Sequence, residues 1–331
     1  MDDAVETLLQ NKNDREGVRE TFSGISFITT AMEVTNRTVK SVESINLIAD
    51  ELGRDYEIIL SCPRQHGISE TILRSIRKEF HNLMVVRVDR ESYGKGKDIA
   101  FRSSTGKFIV PFHSNLIYPV EYADILHSFL EFNLKRLYFS ELSLIHRDLI
   151  NEVGGWRHLS NGEDVDLFSR LAVNFGILAC PTNLMWKDNI TIKEILGMRY
   201  PSRSSAGSDS QNISMIRDLI IACNLSLREI LDLSRIRKNL EGSGGRFIMF
   251  MAYMASRISS IKPVTYNRNN LVVVMESVLE SLILREYLKI PEMEDRVFLQ
   301  IDRTHIEFLT EHSKMFRDMK ASLAYFLRDQ I

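Results

Sequence analysis

Two segments of the sequence carry residue types suited to binding a phosphorylated ligand. The first runs from Gly94 to Asn115 and reads GKGKDIAFRSSTGKFIVPFHSN, a glycine-rich basic turn followed by helical and then apolar periodicity. Glycines let the backbone approach a phosphate, lysines supply positive charge, and the first amides of a helix add a positive dipole end. Lys95 and Lys97 are therefore candidates to bind a diphosphate. A solvated basic turn is the alternative interpretation.

The second segment places two adjacent acids at the start of a helix. Residues Gly154 to Arg170 read GGWRHLSNGEDVDLFSR, in which a Gly-Gly-Trp turn and a short loop lead to Glu163 and Asp164. Acids in a first helical turn interact favourably with the helix dipole, worth about 0.3 to 1 kcal/mol, and this is the alternative to a functional role. The pair gains weight only in combination with the lysine segment.

Both segments lie within an alternating pattern of strands and helices. Short apolar runs, each followed by an amphipathic helix, predict strands over residues 24–31, 56–62, 83–88 and 107–112. Consecutive apolar residues within a run favour parallel strands that are covered by helices on both faces. Ligands of such sheets bind beyond the carboxyl ends of the strands, so the loops after these four strands define the candidate cleft.

The chain of 331 residues is too long for one ordinary core, and its pattern changes after about residue 182. The stretch RYPSRSSAGSDSQ is typical of a loop, and the periodicity from residue 212 onward is helical. We therefore expect four parts, in this order: an N-terminal extension (1–23), an α/β domain (24–198), a linker loop (199–211) and a helical domain (212–331).

Composition excludes several classes of protein. The 42 basic and 44 acidic residues nearly balance, so no global field favours nucleic acid, and we expect no nucleic-acid partner. The three cysteines are scattered without metal-ligand spacing, which predicts neither a disulfide scaffold nor a zinc site. The polar, acidic start does not resemble a secretory signal. The expected location is the cytoplasm.

Taken together, the two motifs resemble the GT-A fold of family 2 glycosyltransferases over about residues 24–182. Aligned without gaps, Lys97, Asp98 and Ala100 take the places of the family's Arg, Asn and Gly, and Glu163 and Asp164 match its final acidic pair. The resemblance implies an α/β domain with an open, mostly parallel sheet flanked by helices, which is followed here by an α-helical domain.

The resemblance also implies a function. It predicts transfer of a sugar from a nucleotide-sugar donor to a hydroxyl of a glycan or lipid-linked acceptor, with Asp164 as general base and Glu163 as its neighbour. We expect the donor to be bound by basic and polar residues of the first segment and of the linker: Lys95, Lys97, Asp98, Arg102, Arg199 and Arg203.

Three departures from the family pattern concern its carboxylates. His113-Ser114-Asn115 stands where the family has Asp-x-Asp, Ser61-Cys62 stands at its Asp-Asp place, and Ala31-Met32-Glu33 replaces its first strand end. His113 and Asn115 would form at best a weak site for Mn²⁺ or Mg²⁺, so no cofactor is certain. We expect lysine and arginine side chains to neutralise the diphosphate instead.

Two further readings stay open. The missing carboxylates favour a binding or scaffold protein that kept the fold and lost the chemistry. A nucleotidyltransferase ranks last, because its basic loop would follow the first strand.

Residues 246–262 read RFIMFMAYMASRISSIK and have two interpretations. They form either a helix buried in the core of a bundle or an interfacial helix. The interfacial interpretation predicts peripheral contact with the inner face of a membrane.

Overall fold

The computed structural model describes residues 22–63, 70–88, 92–132, 134–180, 209–223, 226–227, 243–262, 299–302 and 304. The predicted N-terminal extension lies almost wholly outside these ranges, and so do Arg199 and Arg203 of the predicted linker. The predicted domain boundaries are therefore compared with the structure only where described residues fall on them.

The described residues form eight strands in two sheets. In chain order they are β1 (Phe22–Thr30), β2 (Tyr56–Pro63), β3 (Leu83–Val88), β4 (Gly106–Pro111), β5 (Leu137–Phe139), β6 (Ile145–His146), β7 (Ile177–Ala179) and β8 (Leu299–Ile301). The larger sheet has the order β3-β2-β1-β4-β6, with β1 to β4 parallel and β6 antiparallel to β4. The mostly parallel α/β fold predicted from the apolar runs is confirmed.

Eight helices connect or follow these strands. They are α1 (Asn36–Leu52), α2 (Glu70–Glu79), α3 (Tyr93–Ser103), α4 (Tyr122–Phe132), α5 (Arg147–Glu152), α6 (Glu163–Phe175), α7 (Asp209–Cys223) and α8 (Ser243–Ile258), all within the described ranges. Local signals fix both ends of α1, which begins after the capping box of Thr35 and stops at Gly53, whose φ of 60° a glycine adopts without strain.

Helices cover the larger sheet on both faces. Buried residues of α1, α2 and α4, such as Ile45, Leu73 and Leu126, pack in one core. Phe101 of α3 and Leu167 of α6 belong to the core on the other face, together with residues of α5. This double coverage explains why the strands are apolar at consecutive positions.

The order of the strands creates a crevice between β1 and β4. The chain moves from β1 outward through β2 to β3, then returns to place β4 on the opposite side of β1. Connections therefore leave the carboxyl ends of β1 and β4 in opposite directions. In open parallel sheets this switch of direction is where ligands bind.

The C-terminal part differs from the expected helical domain in two respects. Helix α7 begins at Asp209, inside the predicted linker, and β8 is a strand that pairs with β7, Leu178 lying opposite Gln300. A free edge of β7 explains this short strand, which has no periodicity of its own. Helix α8 packs on α7 through Met249 and Ala252. Within the described ranges, no helix is both long and apolar enough to cross a membrane.

Helix α3 begins at Tyr93 and so includes the stretch that the sequence pattern indicates as a glycine-rich turn before the helix. The Ser92 side chain caps it by accepting a hydrogen bond from the Lys95 amide at 3.2 Å, so the GKGK stretch is the first turn of the helix and not a loop before it. Its glycines serve close packing. A Cβ on Gly94 would lie 2.0 Å from the Arg157 carbonyl oxygen, and one on Gly96 would lie 2.5 Å from the Thr30 side chain.

We predict that Gly94→Ala destabilises the fold much more than Gly53→Ala. Backbone atoms face Gly94 and cannot yield as a side chain can, so the helix must shift, at a cost of about 3 kcal/mol. Nothing lies within 4 Å of a Cβ at Gly53, where the left-handed φ alone costs about 1 kcal/mol. Urea unfolding of both variants measures the difference; equal losses would contradict this packing.

Candidate active site

A buried cluster of three charged groups joins the two predicted motifs. Helices α3 and α6 bring together Lys97 and Asp164, which are 67 residues apart in the sequence. The Lys97 ammonium lies 3.0 Å from Glu163 Oε1 and also donates a hydrogen bond to Asp164 Oδ2. All three side chains are buried. Lys97 of the first segment and the paired acids of the second thus lie in contact.

Asp164 is held from two sides. Besides the contact with Lys97, its Oδ1 accepts a hydrogen bond from the Trp156 indole at 2.9 Å. Trp156 is itself buried and packs against Phe101, with ring centroids 5.8 Å apart. Burial alone would raise the pKa of Asp164, but the Lys97 ammonium, His113 and the Trp156 indole together outweigh it and hold that pKa below its ordinary value. Asp164 is therefore an ionised, fully engaged carboxylate.

Glu163 has the opposite character. Burial and the neighbouring charge of Asp164 raise the pKa of Glu163 above its ordinary value, although the Lys97 ammonium acts against them. Burial opposes the charge on Lys97, yet Asp164 and Glu163 together raise the pKa of that ammonium. Lys97 thus stays protonated, and the two acids differ in how readily they take up a proton.

The cluster opens onto a cleft at the crevice between β1 and β4. The enclosed space of this cleft is small, about that of one water molecule, and the remainder of the cleft is open to solvent. Most of its lining side chains carry hydrogen-bonding groups, and two are aromatic: Thr30, Tyr93, Lys97, Phe112, His113, Ser114, Ser160, Asn161 and Glu163. Mixed donors, acceptors and ring faces suit a hydroxylated ligand. Glu163 is among the lining residues of the cleft and Asp164 is not, although both side chains are almost wholly buried.

A buried ion cluster positions the loop that forms one rim of the cleft. The Asp166 carboxylate accepts hydrogen bonds from Arg157 and Arg170, each through Nε at 2.9 Å. Arg170 also donates to the Val153 and Gly155 carbonyls. The loop between α5 and α6 is therefore tied to α6 itself. We did not predict this clamp, although the spacing of Asp166 and Arg170, four residues apart on one helix, is a signal for such a pair.

Other rim residues also escaped the sequence prediction. Thr30 ends β1, and the rule that ligands lie beyond carboxyl ends of strands points to that position. Ser160 and Asn161 precede the acidic pair, in a loop whose path no periodicity indicates. The Ser160 amide donates to the Asp218 carboxylate of α7 at 2.7 Å, so a distant helix helps to hold this rim.

Several predicted donor-binding residues do not reach the cleft. Asp98 pairs with Arg102, Nε to Oδ2 at 2.7 Å, and lies against Gly155, while the Arg102 side chain is 67% exposed. Successive helical residues are turned about 100° apart, so Asp98 points away from the side where Lys97 lies. Lys95 is half-buried in the first turn of α3 and is not part of the cleft lining.

The residues at the end of β4 do not fit a divalent metal ion. His113 lines the cleft, Asn115 is not among its lining residues, and Ser114 Oγ donates to the Thr30 carbonyl at 3.1 Å. Hard cations require several oxygen ligands, and the sequence supplies no carboxylate here. Across the part of the chain that the structure describes, no three His, Cys, Asp or Glu side chains form a group that could hold a metal. The expected site at His113 and Asn115 is thus incomplete.

Comparison with known proteins shows similarity of the backbone fold alone. No protein-family model and no curated protein sequence matches the chain. Among solved structures, the 1–349 segment of S. aureus TarS in complex with UDP-GlcNAc is 12% identical with a TM-score of 0.48, over 88% of this chain and 92% of that one. The mannosyltransferase PcManGT from Pyrobaculum calidifontis, in complex with GDP-Man and Mn²⁺, is 10% identical with a TM-score of 0.43, over 98% and 92%.

A longer S. aureus TarS structure is 12% identical with a TM-score of 0.41, over 47% of this chain. This chain spans only about a third (35%) of the length of that structure.

We predict that Lys97→Met is strongly destabilising at neutral pH and much less so in acid. Without the ammonium, two buried carboxylates are left unpaired, which costs about 3 to 5 kcal/mol. Their folded-state pKa values then lie above the unfolded values, so the deficit shrinks as the pH falls and both groups are protonated.

Urea unfolding between pH 4.5 and 8 measures this dependence. Lys40→Met, at an exposed lysine of α1, is the control and should change stability little at any pH. A Lys97→Met deficit that stays constant across this range would contradict the pairing.

Proposed function

We propose that this chain is a glycosyltransferase that moves a sugar from a nucleotide-sugar donor to a hydroxyl group of a glycan or lipid-linked acceptor. The observation that supports it is the buried Lys97, Glu163 and Asp164 cluster opening onto a cleft where the strand order reverses. Reversals of this kind are the places where open α/β sheets bind nucleotides and related ligands.

The cleft lining suits a sugar joined to a phosphate. The side-chain hydroxyl of Ser160 and the amide of Asn161 can exchange hydrogen bonds with sugar hydroxyls. Tyr93 and Phe112 offer ring faces to its C–H groups. Lys97 carries the ammonium among these lining side chains, and we propose that it faces the diphosphate. The linker residues Arg199 and Arg203 stay within the proposal as donor-binding residues, whereas Lys95, Asp98 and Arg102 do not line the cleft.

In the proposed reaction Glu163 takes the proton of the acceptor hydroxyl. As its oxygen bonds to the anomeric carbon, the bond from that carbon to the diphosphate oxygen breaks, and the diphosphate leaves with the electron pair. A base works best when its pKa is close to the working pH and it reaches the substrate, which favours Glu163. The sequence pattern assigns this role to Asp164, but both oxygens of Asp164 are engaged.

Asp164 then has a positioning role. Its ionised carboxylate holds the Lys97 ammonium in the wall of the cleft, and the Trp156 indole holds the carboxylate. No step of the proposed reaction passes through a metal ion, since the residues at the end of β4 do not form a site for one. The cationic groups of the chain itself neutralise the departing diphosphate.

A binding or scaffold protein on the same fold is the second candidate. It is favoured by Ser61 and Cys62 at the end of β2 and by His113 and Asn115 after β4, where carboxylates are missing. In that case the charged cluster would be a structural ion pair that holds α3 against α6.

The proposed location, for either function, is the cytoplasm, with peripheral contact to the inner face of a membrane through residues 246–262.

We predict that at least one nucleotide sugar raises the thermal stability of the chain. A ligand that binds the folded state at 100 times its Kd stabilises it by about 2.7 kcal/mol. UDP-, GDP- and dTDP-sugars should be compared by calorimetry and thermal unfolding, each with Mn²⁺ and with a chelator. Binding that persists with the chelator supports the proposal; no shift with any donor would favour the scaffold.

We further predict that Glu163→Gln lowers transfer without abolishing donor binding. Loss of a general base costs about 10²- to 10⁴-fold in rate. With a donor that binds, slow transfer to water can be followed by release of the nucleoside diphosphate. The wild-type rate should rise with pH through the raised pKa of Glu163, because the base must be unprotonated.

Glu131→Gln is the matched control, since its side chain is exposed on α4. It should hydrolyse the donor at the wild-type rate. A Glu163→Gln variant that does the same, with its pH dependence intact, would remove Glu163 from the reaction.

A further inference from the structure

Helix α8 exposes a continuous apolar stripe. Its inner face, with Met249, Ala252 and Ser256, is buried against α7. Its outer face carries large apolar side chains at positions that recur every three or four residues, two of them 64% and 83% exposed: Phe247, Phe250, Met251, Met254 and Ile258. This spacing places all five on one side of the helix, within an arc of about 100°. Other large apolar side chains are exposed too, but one helix face carrying five is a patch.

The helix that carries this stripe, and the short segment that follows it, bear charges of a single sign. Residues 243–262 contain Arg246, Arg257 and Lys262 and no acidic residue, although acids slightly outnumber bases in the chain as a whole. Arg257 lies over the Tyr253 ring, with the guanidinium 4.7 Å from the ring centroid, and Lys262 is exposed. Apolar stripes flanked by basic residues bind the interface of a membrane that carries negative lipids.

Helix α8 is also connected to the rim of the cleft. Arg157 of the rim loop donates a hydrogen bond to the Lys262 carbonyl, just beyond the end of α8, and the same arginine is clamped to Asp166 of α6. Through α7, the Asp218 carboxylate binds the Ser160 amide of that rim. A surface that binds α8 is therefore linked to the cleft lining through two contacts, the packing of α8 on α7 and the hydrogen bond from the Ser160 amide to Asp218.

We infer that the outer face of α8 docks the chain on an anionic lipid surface and so presents the cleft beside that surface. The five apolar side chains enter the boundary between headgroups and acyl chains, and the flanking Arg257 and Lys262 contact lipid phosphates. The inference deepens the membrane contact proposed above by naming its lipid chemistry. It does not depend on the transfer reaction, although a lipid-linked acceptor would be reached at such a surface.

Sedimentation with vesicles of phosphatidylcholine, with and without phosphatidylglycerol, tests this on the full chain. We expect binding to the vesicles with phosphatidylglycerol and much weaker binding to phosphatidylcholine alone. Phe247→Ser with Ile258→Ser should weaken binding about tenfold or more, since both side chains leave water when docked. Lys262→Gln should weaken binding to anionic vesicles about fivefold and lessen its salt dependence. Leu47→Ser, which removes a side chain 56% exposed on α1, should change nothing.

Three results would overturn the inference. They are no sedimentation of the wild-type chain with anionic vesicles, equal binding by the double variant and the Leu47→Ser control, and self-association that the double variant abolishes while vesicles stay unbound. Urea unfolding of each variant shows that it is folded. Donor binding measured on the same samples separates the two proposals: donor binding without vesicle binding contradicts the lipid surface alone, and the reverse contradicts the transferase alone.

Discussion

The burial of one ammonium between two carboxylates constrains much of this structure. Lys97 lies on α3, whereas Glu163 and Asp164 begin α6, so neither helix can move without leaving a buried charge unpaired. The glycines of α3 make the approach feasible, because they bring the helix against the rim loop and against Thr30. Trp156 completes the arrangement from the same loop. Packing and electrostatics therefore depend on the same few residues.

This arrangement also gives two adjacent acids different chemistry. Asp164 points inward to a cation and an indole, which favour its charged form, while Glu163 faces the cleft with a raised pKa. Environments that separate the pKa values of neighbouring carboxylates are typical of sites in which one group holds and the other exchanges a proton.

How far the sequence could predict the molecule depended on how local each signal is. Apolar runs predicted the four parallel strands, since residues buried on both faces leave a mark in the sequence itself. The contact between Lys97 and the acidic pair has no local signal, and only the family resemblance of the two motifs linked these residues. The role of Asp98 was not predictable from its place next to Lys97, because adjacent residues of a helix point in different directions. Gly94 was assigned to a loop, since sequence alone does not show what a glycine packs against. Strand β8 depends on an open edge of β7 and has no local signal.

The most direct test is a crystal structure of the chain with UDP or GDP bound in the absence of divalent metal. We predict a diphosphate in the cleft between the ends of β1 and β4, within hydrogen-bond distance of the Lys97 ammonium and with the sugar side open toward Glu163. A nucleotide bound elsewhere on the molecule, or a cleft closed by packed side chains, would contradict this prediction.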